Sequence, residues 1–425
     1  MVKNPVLIAA LILAFLFYSG LVKIKARDSF RSLAPREKIV KVEGSLVSNP
    51  VKSKVFGSTY KSVFSVRKVF TKKGEFSAEG KIVLYFPSEI VEACYPGKLY
   101  SVASSKISGD FILESGAELC LKVKSVRRAG ETSDLVEKGK FIGWKGNSML
   151  KAIKKIRALS RIKFKKLMYA WGKAGGLLLA LLTGSREYTD SLLCDAFRDA
   201  GLSHILALSG MHLGLFNSLA RFLGKKTGGN VFSQAAGLSS VIFFVWFAGF
   251  SPSLFRAFLS VGISTMNTVL RLGPPSQVSL LSLSFILHSV IFPEHIRQPA
   301  FVLSYVSLFG ITVLKFIFVK ILPSVMPLKF RLSLSESISA QCATCPVVLR
   351  FFGKIAPVGI IASLFLSPLI TFFIYFGLFG IIICLLLPFL SGPINAIMNT
   401  LYFFISSLVL FFGGSKNLVF RGELF

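Results

Sequence analysis

Beyond Gly175 the chain is a succession of apolar stretches, and a soluble fold has no place to bury that many. The stretches are Gly175–Leu182, Gly201–Leu223, Val231–Phe250, Leu254–Leu270, Val278–Phe292, Phe301–Leu322, Ile338–Phe352, Val358–Leu390 and Ile394–Phe412. A helix that crosses the hydrocarbon core needs about 20 apolar residues. Over all 425 residues, 53% are hydrophobic, only 16% are charged, and mean hydropathy is +0.66. This composition excludes a disordered chain, a collagen and a disulfide-dense secreted scaffold. It leaves a polytopic α-helical membrane protein. Several stretches are short or interrupted by Gly, Pro, Ser or His, so some helices are expected to be broken or re-entrant. Such backbone is tolerated only where it lines a cavity or packs on protein. Val358–Leu390 is long enough for two passes, or for one plus a re-entrant piece.

The preceding residues differ in kind. Residues 1–25 contain one apolar run, Val6–Val22, after Lys3; Ile24-Lys25-Ala26 is a poor cleavage site, so the run reads as an uncleaved membrane anchor. Residues 30–130 read as short strands, at Glu37–Val47, Lys61–Phe70, Gly80–Phe86, Lys98–Val102, Phe111–Leu113 and Leu119–Val126, separated by Gly, Pro, Ser and Lys. They suit a small β-barrel of the oligonucleotide-binding (OB) type or a β-sandwich. Residues 131–172 read as a basic linker and an amphipathic interfacial helix. In it Lys151, Lys154, Lys155, Arg157, Arg161, Lys163, Lys165 and Lys166 surround Ile153, Ile156, Leu159, Ile162 and Leu167. Residues 173–425 form the polytopic part.

Charge separates the same regions. The chain carries 50 Lys+Arg against 20 Asp+Glu, a formal net charge of +30. Residues 23–170 hold 32 basic and 13 acidic side chains, whereas residues 171–425 hold 17 and 7. A basic region of this strength attracts polyanions, either nucleic acid or anionic lipid head groups. Six dispersed cysteines make no disulfide framework, although Cys94 and Cys120 could pair if their region lies outside the cytoplasm. Cys342-x-x-Cys345 has no second pair to complete a metal site, and no cofactor or metal is expected.

The densest polar cluster of the apolar half runs from Asp199 through Gly201, Ser203, His204, Ser209, Gly210 and His212 to Gly214. Two of the four histidines lie here, eight residues apart. On an ideal helix that offset is about 80°, which puts both on one side. Ser209-Gly210 marks a break, and Gly210-x-x-x-Gly214 permits close helix contact. Ionisable groups inside a membrane are expensive and usually functional. Arg256 belongs with them, either lining water or paired with Asp195 or Asp199.

The stretch Gly201–Gly214 resembles the signature of the ComEC family of competence proteins. Further elements resemble that family in the same order. They are Leu182-Thr-Gly-Ser-Arg186, Pro252-Ser253-x-x-Arg256-Ala257, Pro293 followed by Phe301-x-Leu-Ser304-Tyr305, and Ser339-Ala-Gln341-x-x-Thr344-x-Pro346. The resemblance covers about residues 170–390. It implies an inner-membrane channel that passes single-stranded DNA into the cytoplasm during transformation, with the amino-terminal barrel outside. It also implies a separate cytoplasmic ATPase or helicase and a DNA receptor as partners, and allows a homo-oligomer. The chain lacks the His-x-His-x-Asp-His motif of the metallo-β-lactamase-like domain found in many members, and it has Ser363 where the family tends to have Asn.

On this reading His204, Ser209, Gly210, His212, Arg256 and Asp199 line the DNA path. Gly201, Gly214, Pro252, Ser253, Ser304, Gln341 and Pro346 belong to the structural motifs. Burying a bare ion in a medium of dielectric about 4 costs on the order of 20 kcal/mol. A phosphate strand therefore needs a hydrated route with weak cationic contacts. Phe64, Phe70, Tyr85 and Phe86 are candidates to stack bases. Gly224-Lys-Lys-Thr227 is not a Walker A loop, so neither an ATPase nor another enzyme is expected in this chain. The rival readings are a small-solute transporter with a broken-helix site, and an intramembrane serine protease using Ser209 with His288 as base.

Overall fold

The structure is a computed structural model that describes residues 5–19, 30–32, 39–53, 59–94, 107–108, 111–128, 131–144, 146–208, 210–249, 251–273, 275–414 and 420–421. It divides into two compact units. The sheet unit is Ala26–Ala180 with Ser185–Tyr188; the helical unit is Met1–Lys25, Leu181–Gly184 and Thr189–Phe425.

The sheet unit holds β1 (Arg31–Ser32), β2 (Ile39–Leu46), β3 (Val51–Ser53), β4 (Thr59–Thr71), β5 (Gly74–Glu79), β6 (Lys81–Pro87), β7 (Ile107–Ser108), β8 (Ala117–Arg128) and β9 (Glu131–Trp144). Its order is β1-β5-β4-β2-β8-β9-β6, and β6 also pairs with β4, so the pairing path returns to a strand already in it. All these pairs are antiparallel except β6 with β9. Alternation dictates the core. Phe64, Val66 and Val69 of β4, Leu84 and Phe86 of β6, and Leu119 and Leu121 of β8 point inward and are buried. Lys61, Arg67, Lys81 and Lys122 point outward and are exposed.

Four of the expected strands are present as β2, β4, β6 and β8. Lys98–Val102 lies outside the described residues. Phe111–Leu113 is not a strand but a buried plug: the Phe111 ring lies so close to Gly139 that a Cβ there would sit 2.6 Å from it. β5 is an addition. So is β9, in residues expected to be linker; its Glu131, Asp134, Glu137, Lys138 and Lys140 mask the alternation that its pairing with β8 reveals. Of the aromatic candidates for base stacking, Phe64 and Phe86 are core residues, whereas Phe70 and Tyr85 are half-buried on the strands.

Helix α1 (Pro5–Tyr18) falls in the helical unit; α2 (Ser88–Ala93) and α3 (Ser148–Ala170) belong to the sheet unit. Asn147 caps α3 by accepting from the Leu150 N–H at 3.0 Å. The interfacial reading of α3 needs a correction. Met149, Leu150, Ile153 and Ile156 are exposed beside Lys151 and Lys155, but Arg161 and Lys165 are buried. They enter an ionic cluster because Glu114 and Glu187 are buried there too. Lys165 bonds Glu114 and lies 2.7 Å from Glu187; Arg161 lies 3.3 Å from Glu114 and donates to Ser185 Oγ at 3.0 Å. Asn49 donates to Glu114 at 2.8 Å. Burial alone would push the Glu114 carboxyl up, but Lys165, Arg161 and the hydrogen bonds outweigh it and hold it below the usual carboxylate range. At Glu187 burial wins and the carboxyl is pushed up.

The possible Cys94–Cys120 pairing is not made in this structure: both are free thiols. Cys94 ends α2 inside the core, whereas Cys120 sits on β8 between the inward Leu119 and Leu121 and so faces away from it. Burial pushes the Cys94 thiol up to about 12. Under native non-reducing conditions a maleimide is expected to label Cys120 well before Cys94, as read by peptide mass spectrometry; a Cys94–Cys120 peptide would contradict this placement.

The helical unit continues with α4 (Gly172–Thr183), which crosses the unit boundary, then α5 (Ser191–Asp199), α6 (Ser203–Leu206), α7 (Gly210–Ala248), α8 (Pro252–Val269), α9 (Gln277–Ile291), α10 (Pro299–Ile321), α11 (Leu328–Phe352), α12 (Val358–Leu386) and α13 (Ser391–Gly413). Among the described residues, four stretches are long and apolar enough to cross a membrane: α7, α10, α12 and Pro388–Gly413. α7 is two helices joined at Gly228–Gly229, where Gly229 has a φ of 73° that only glycine adopts freely. The halves fold back on each other. Ser233 Oγ donates to Arg221 O at 2.9 Å, Ser240 Oγ donates to Phe216 O at 3.3 Å, and the Phe216 and Phe244 rings lie 4.4 Å apart. The stretch read from sequence as Gly201–Leu223 thus enters the hairpin only from Gly210, and the stretch read as Val231–Phe250 supplies the second arm as far as Ala248. Val358–Leu390 holds a single continuous helix, α12, which keeps Pro368 inside it, followed by a short 3-10 turn.

Candidate functional site

The signature is built on a break in the chain. α5 ends at Asp199, Gly201 turns at a φ of 71°, α6 is one turn long, Ala207 is extended, and α7 begins at Gly210. His204 and His212 therefore do not share one helix face. His204 is exposed on α6; His212 is fully buried in the first turn of α7. The helical projection fails because the chain is not helical between them. Ser209 lies outside the described residues.

Each side of the break is fixed by residues from the other motif elements. Ser251 caps α8 by accepting from the Leu254 N–H at 3.3 Å, and Pro252 takes the first helical position, where its missing N–H costs nothing. Ser253 donates to Leu208 O at 3.0 Å and so ties the segment before Gly210 to α8. One turn on, Arg256 reaches back to the start of α7: a Cβ at Gly210 would stand 2.6 Å from its Nη2. Its Nε donates to Ser304 Oγ on α10 at 2.8 Å. Gly210, Arg256 and Ser304, three of the expected residues, meet at one point.

A second contact holds the Gly201 turn. A Cβ on Gly201 would lie 2.9 Å from Ala356 O, and one on Gly359 would lie 2.9 Å from Gln341 Nε2 and 3.0 Å from Ala200 O. Gln341 thus sits beside the turn, as its motif suggested. Gly201→Ala meets both a positive φ and a clash, so a large loss of folded membrane protein is expected, read by the yield of monodisperse protein in detergent. A wild-type yield would contradict the account of this turn. Asp199 is half-buried at the end of α5, Pro346 lies within α11, and Gly214 faces open space, so the close contact expected at Gly210-x-x-x-Gly214 exists only at Gly210.

Electrostatics give the Gly210 point its character. The first turn of a helix carries unsatisfied N–H groups and a partial positive charge. Arg256 brings a full charge to the same place. Neither aspartate partners it: Asp195 is engaged by Arg198, and Asp199 makes no ion pair with Arg256. Among the described residues no carboxylate lies within ion-pair range of Arg256. Two positive ends converge without a counter-charge, an arrangement that suits a transient anion.

Beside it lies a network that sequence reasoning missed. His288 Nδ1 meets Tyr305 Oη at 3.2 Å, Tyr305 donates to Ser284 O at 3.0 Å, and His288 Nε2 meets His295 Nδ1 at 3.0 Å. The Phe301 ring packs edge-on to His288 at 4.7 Å. One motif element thus serves both contacts: Ser304 holds Arg256 while Phe301 and Tyr305 hold His288. It also weakens the protease reading, because both ring nitrogens of His288 are occupied. The signal was present in the serines and histidine of α9, where Ser282, Ser284, His288 and Ser289 are all buried.

A competence protein family model matches residues 181–419, more than half of the chain. The chain belongs to the competence protein family. It is 25% identical over 205 residues to ComE operon protein 3 of Bacillus subtilis (strain 168), a match covering 48% of this chain and 25% of that relative. The chain thus matches about a quarter of the relative's length. No solved structure matches the chain. All the site residues described above lie within the matched region, so the family likeness and the Gly210–Arg256–Ser304 contact concern the same part of the molecule.

Proposed function

We propose that this chain is a multi-pass inner-membrane component of DNA uptake that passes single-stranded DNA toward the cytoplasm. The observation that carries this reading is Arg256. It stands in an apolar helical unit, fixed by Ser304 against the amino-terminal end of α7, with no carboxylate partner among the described residues. A cation held in that way serves a passing phosphate better than it serves stability. The exposed His204 one break earlier adds a second polar group on the same signature.

The sheet unit is proposed to be a closed small barrel of the OB type that gathers the strand before entry. The return of the pairing path to β4, the parallel pairing of β6 with β9 and the position of α2 between β6 and β8 support that reading. The exposed Met149, Leu150, Ile153 and Ile156 beside Lys151 and Lys155 suit a bilayer surface at the start of α3. No catalytic step is assigned to this chain. Strand movement is assigned to a separate ATPase or helicase, delivery to a DNA receptor, and assembly to a homo-oligomer. The test is deletion of the gene followed by transformation with marked DNA. The reading expects transformants to vanish while surface-bound DNA persists; normal uptake in the deletion strain would end it.

A further inference from the structure

The outer face of the sheet carries an ordered row rather than scattered charge. Phe70 on β4 stands opposite Lys41 on β2, Lys41 stands opposite Lys122 on β8, and Lys122 stands opposite Lys138 on β9. Residues paired in this way project from the same face. Their neighbours Val69, Val42, Leu121 and Gly139 are buried, which fixes this face as the outward one. All three lysines are exposed and Phe70 is half-exposed. Lys124 and Lys140, two residues further along β8 and β9, are exposed on the same face.

Like charges directly opposite each other across strands are destabilising, so three lysines in register work against the sheet. Acids offset them only in part: Glu75, opposite Phe70 on β5, is engaged by Lys68. Glu43 is engaged by Arg67, and Glu137 bonds Lys122 at 2.9 Å as an exposed pair of little worth. Adjacent strands lie about 4.8 Å apart, so the row places three cations along about 10 Å with an aromatic ring at one end.

We propose that this row, Phe70-Lys41-Lys122-Lys138, is the single-strand binding surface of the sheet unit. The lysines take successive backbone phosphates and the Phe70 ring stacks one base. The inference rests on the reading of single-stranded DNA as cargo and adds which face meets it. The chemistry favours a strand over a lipid head group, because a ring in line with the cations gives a base a place that a head group does not need. Proteins that bind single strands without sequence preference combine these two features, a cationic track and an aromatic platform.

The experiment measures binding of a fluorescent oligothymidylate, about 16 nucleotides long to fill one domain's site, to the full chain in phosphatidylcholine nanodiscs. Salt is varied. Each phosphate contact to a single strand adds about 0.7 to the slope of log K against log salt. Lys41→Gln/Lys122→Gln/Lys138→Gln is expected to lower that slope by about 2. The triple Lys→Arg variant keeps the slope, which separates charge from folding. Phe70→Ala is expected to leave the slope unchanged and weaken binding about 5- to 150-fold, the effect of one lost stack. The comparison variant is Lys61→Gln/Lys81→Gln, on the β4–β6 face. If the row triple binds as the parent does, or if the comparison pair lowers the slope as much, the assignment of this face is overturned while DNA as cargo stands. If the parent itself does not bind the oligonucleotide, both fall together.

Discussion

Arg256→Gln is expected to lower DNA uptake about 10- to 150-fold while the protein still inserts and folds. The magnitude follows from the site. A hydrogen bond to a charged group is worth about 1.5–3 kcal/mol, and each 1.4 kcal/mol of barrier is tenfold in rate. Gln can still donate to Ser304 but brings no charge to the start of α7, so the packing is preserved and the anion site is lost. Arg256→Lys keeps the charge without the fork that reaches both Ser304 and Gly210, and an intermediate loss is expected. Transformation frequency, with membrane protein quantified by immunoblot, reads both. Full activity of Arg256→Gln would remove the central cation from the mechanism.

Lys165→Met is expected to destabilise the sheet unit by about 3–5 kcal/mol, because it leaves Glu114 and Glu187 buried with one cation fewer. Hydrogen exchange of β8 and α3 in the full chain measures this. Glu114 sets the pH dependence. Its carboxyl lies below the unfolded value, so the stability it contributes is complete above the unfolded pKa and is lost as pH falls through the folded one. Glu187 acts in the opposite sense: its raised carboxyl costs stability at neutral pH, and acid relieves that cost first. Acid exchange protection that does not change between the parent and Glu114→Gln would contradict the role given to the cluster.

The helical unit was legible because its determinants are local. Apolar length sets α10 and α12, the Ser251-Pro252 start sets α8, and the paired glycines at 228 and 229 set the α7 turn. What sequence could not show is where long-range partners decide. β9 is hydrophilic by composition and becomes a strand only because β8 and β6 flank it. Arg161 and Lys165 look like head-group cations until Glu114, far away in sequence, is brought beside them. At the site, Gly210, Arg256 and Ser304 were each picked out as motif residues, but that they touch is a fact of packing. The histidine spacing misled for the converse reason, since helical periodicity was applied across a break that the Ser209-Gly210 pair itself announced.

The claim that a cation-lined path carries a strand through this chain is tested most directly in vesicles. The full chain is reconstituted, a nuclease is sealed inside, and fluorescent single-stranded DNA is added outside under an imposed driving force. The account predicts protein-dependent cleavage of the internalised strand that Arg256→Gln suppresses. DNA that stays intact outside at every protein density, or enters equally through Arg256→Gln, would contradict it.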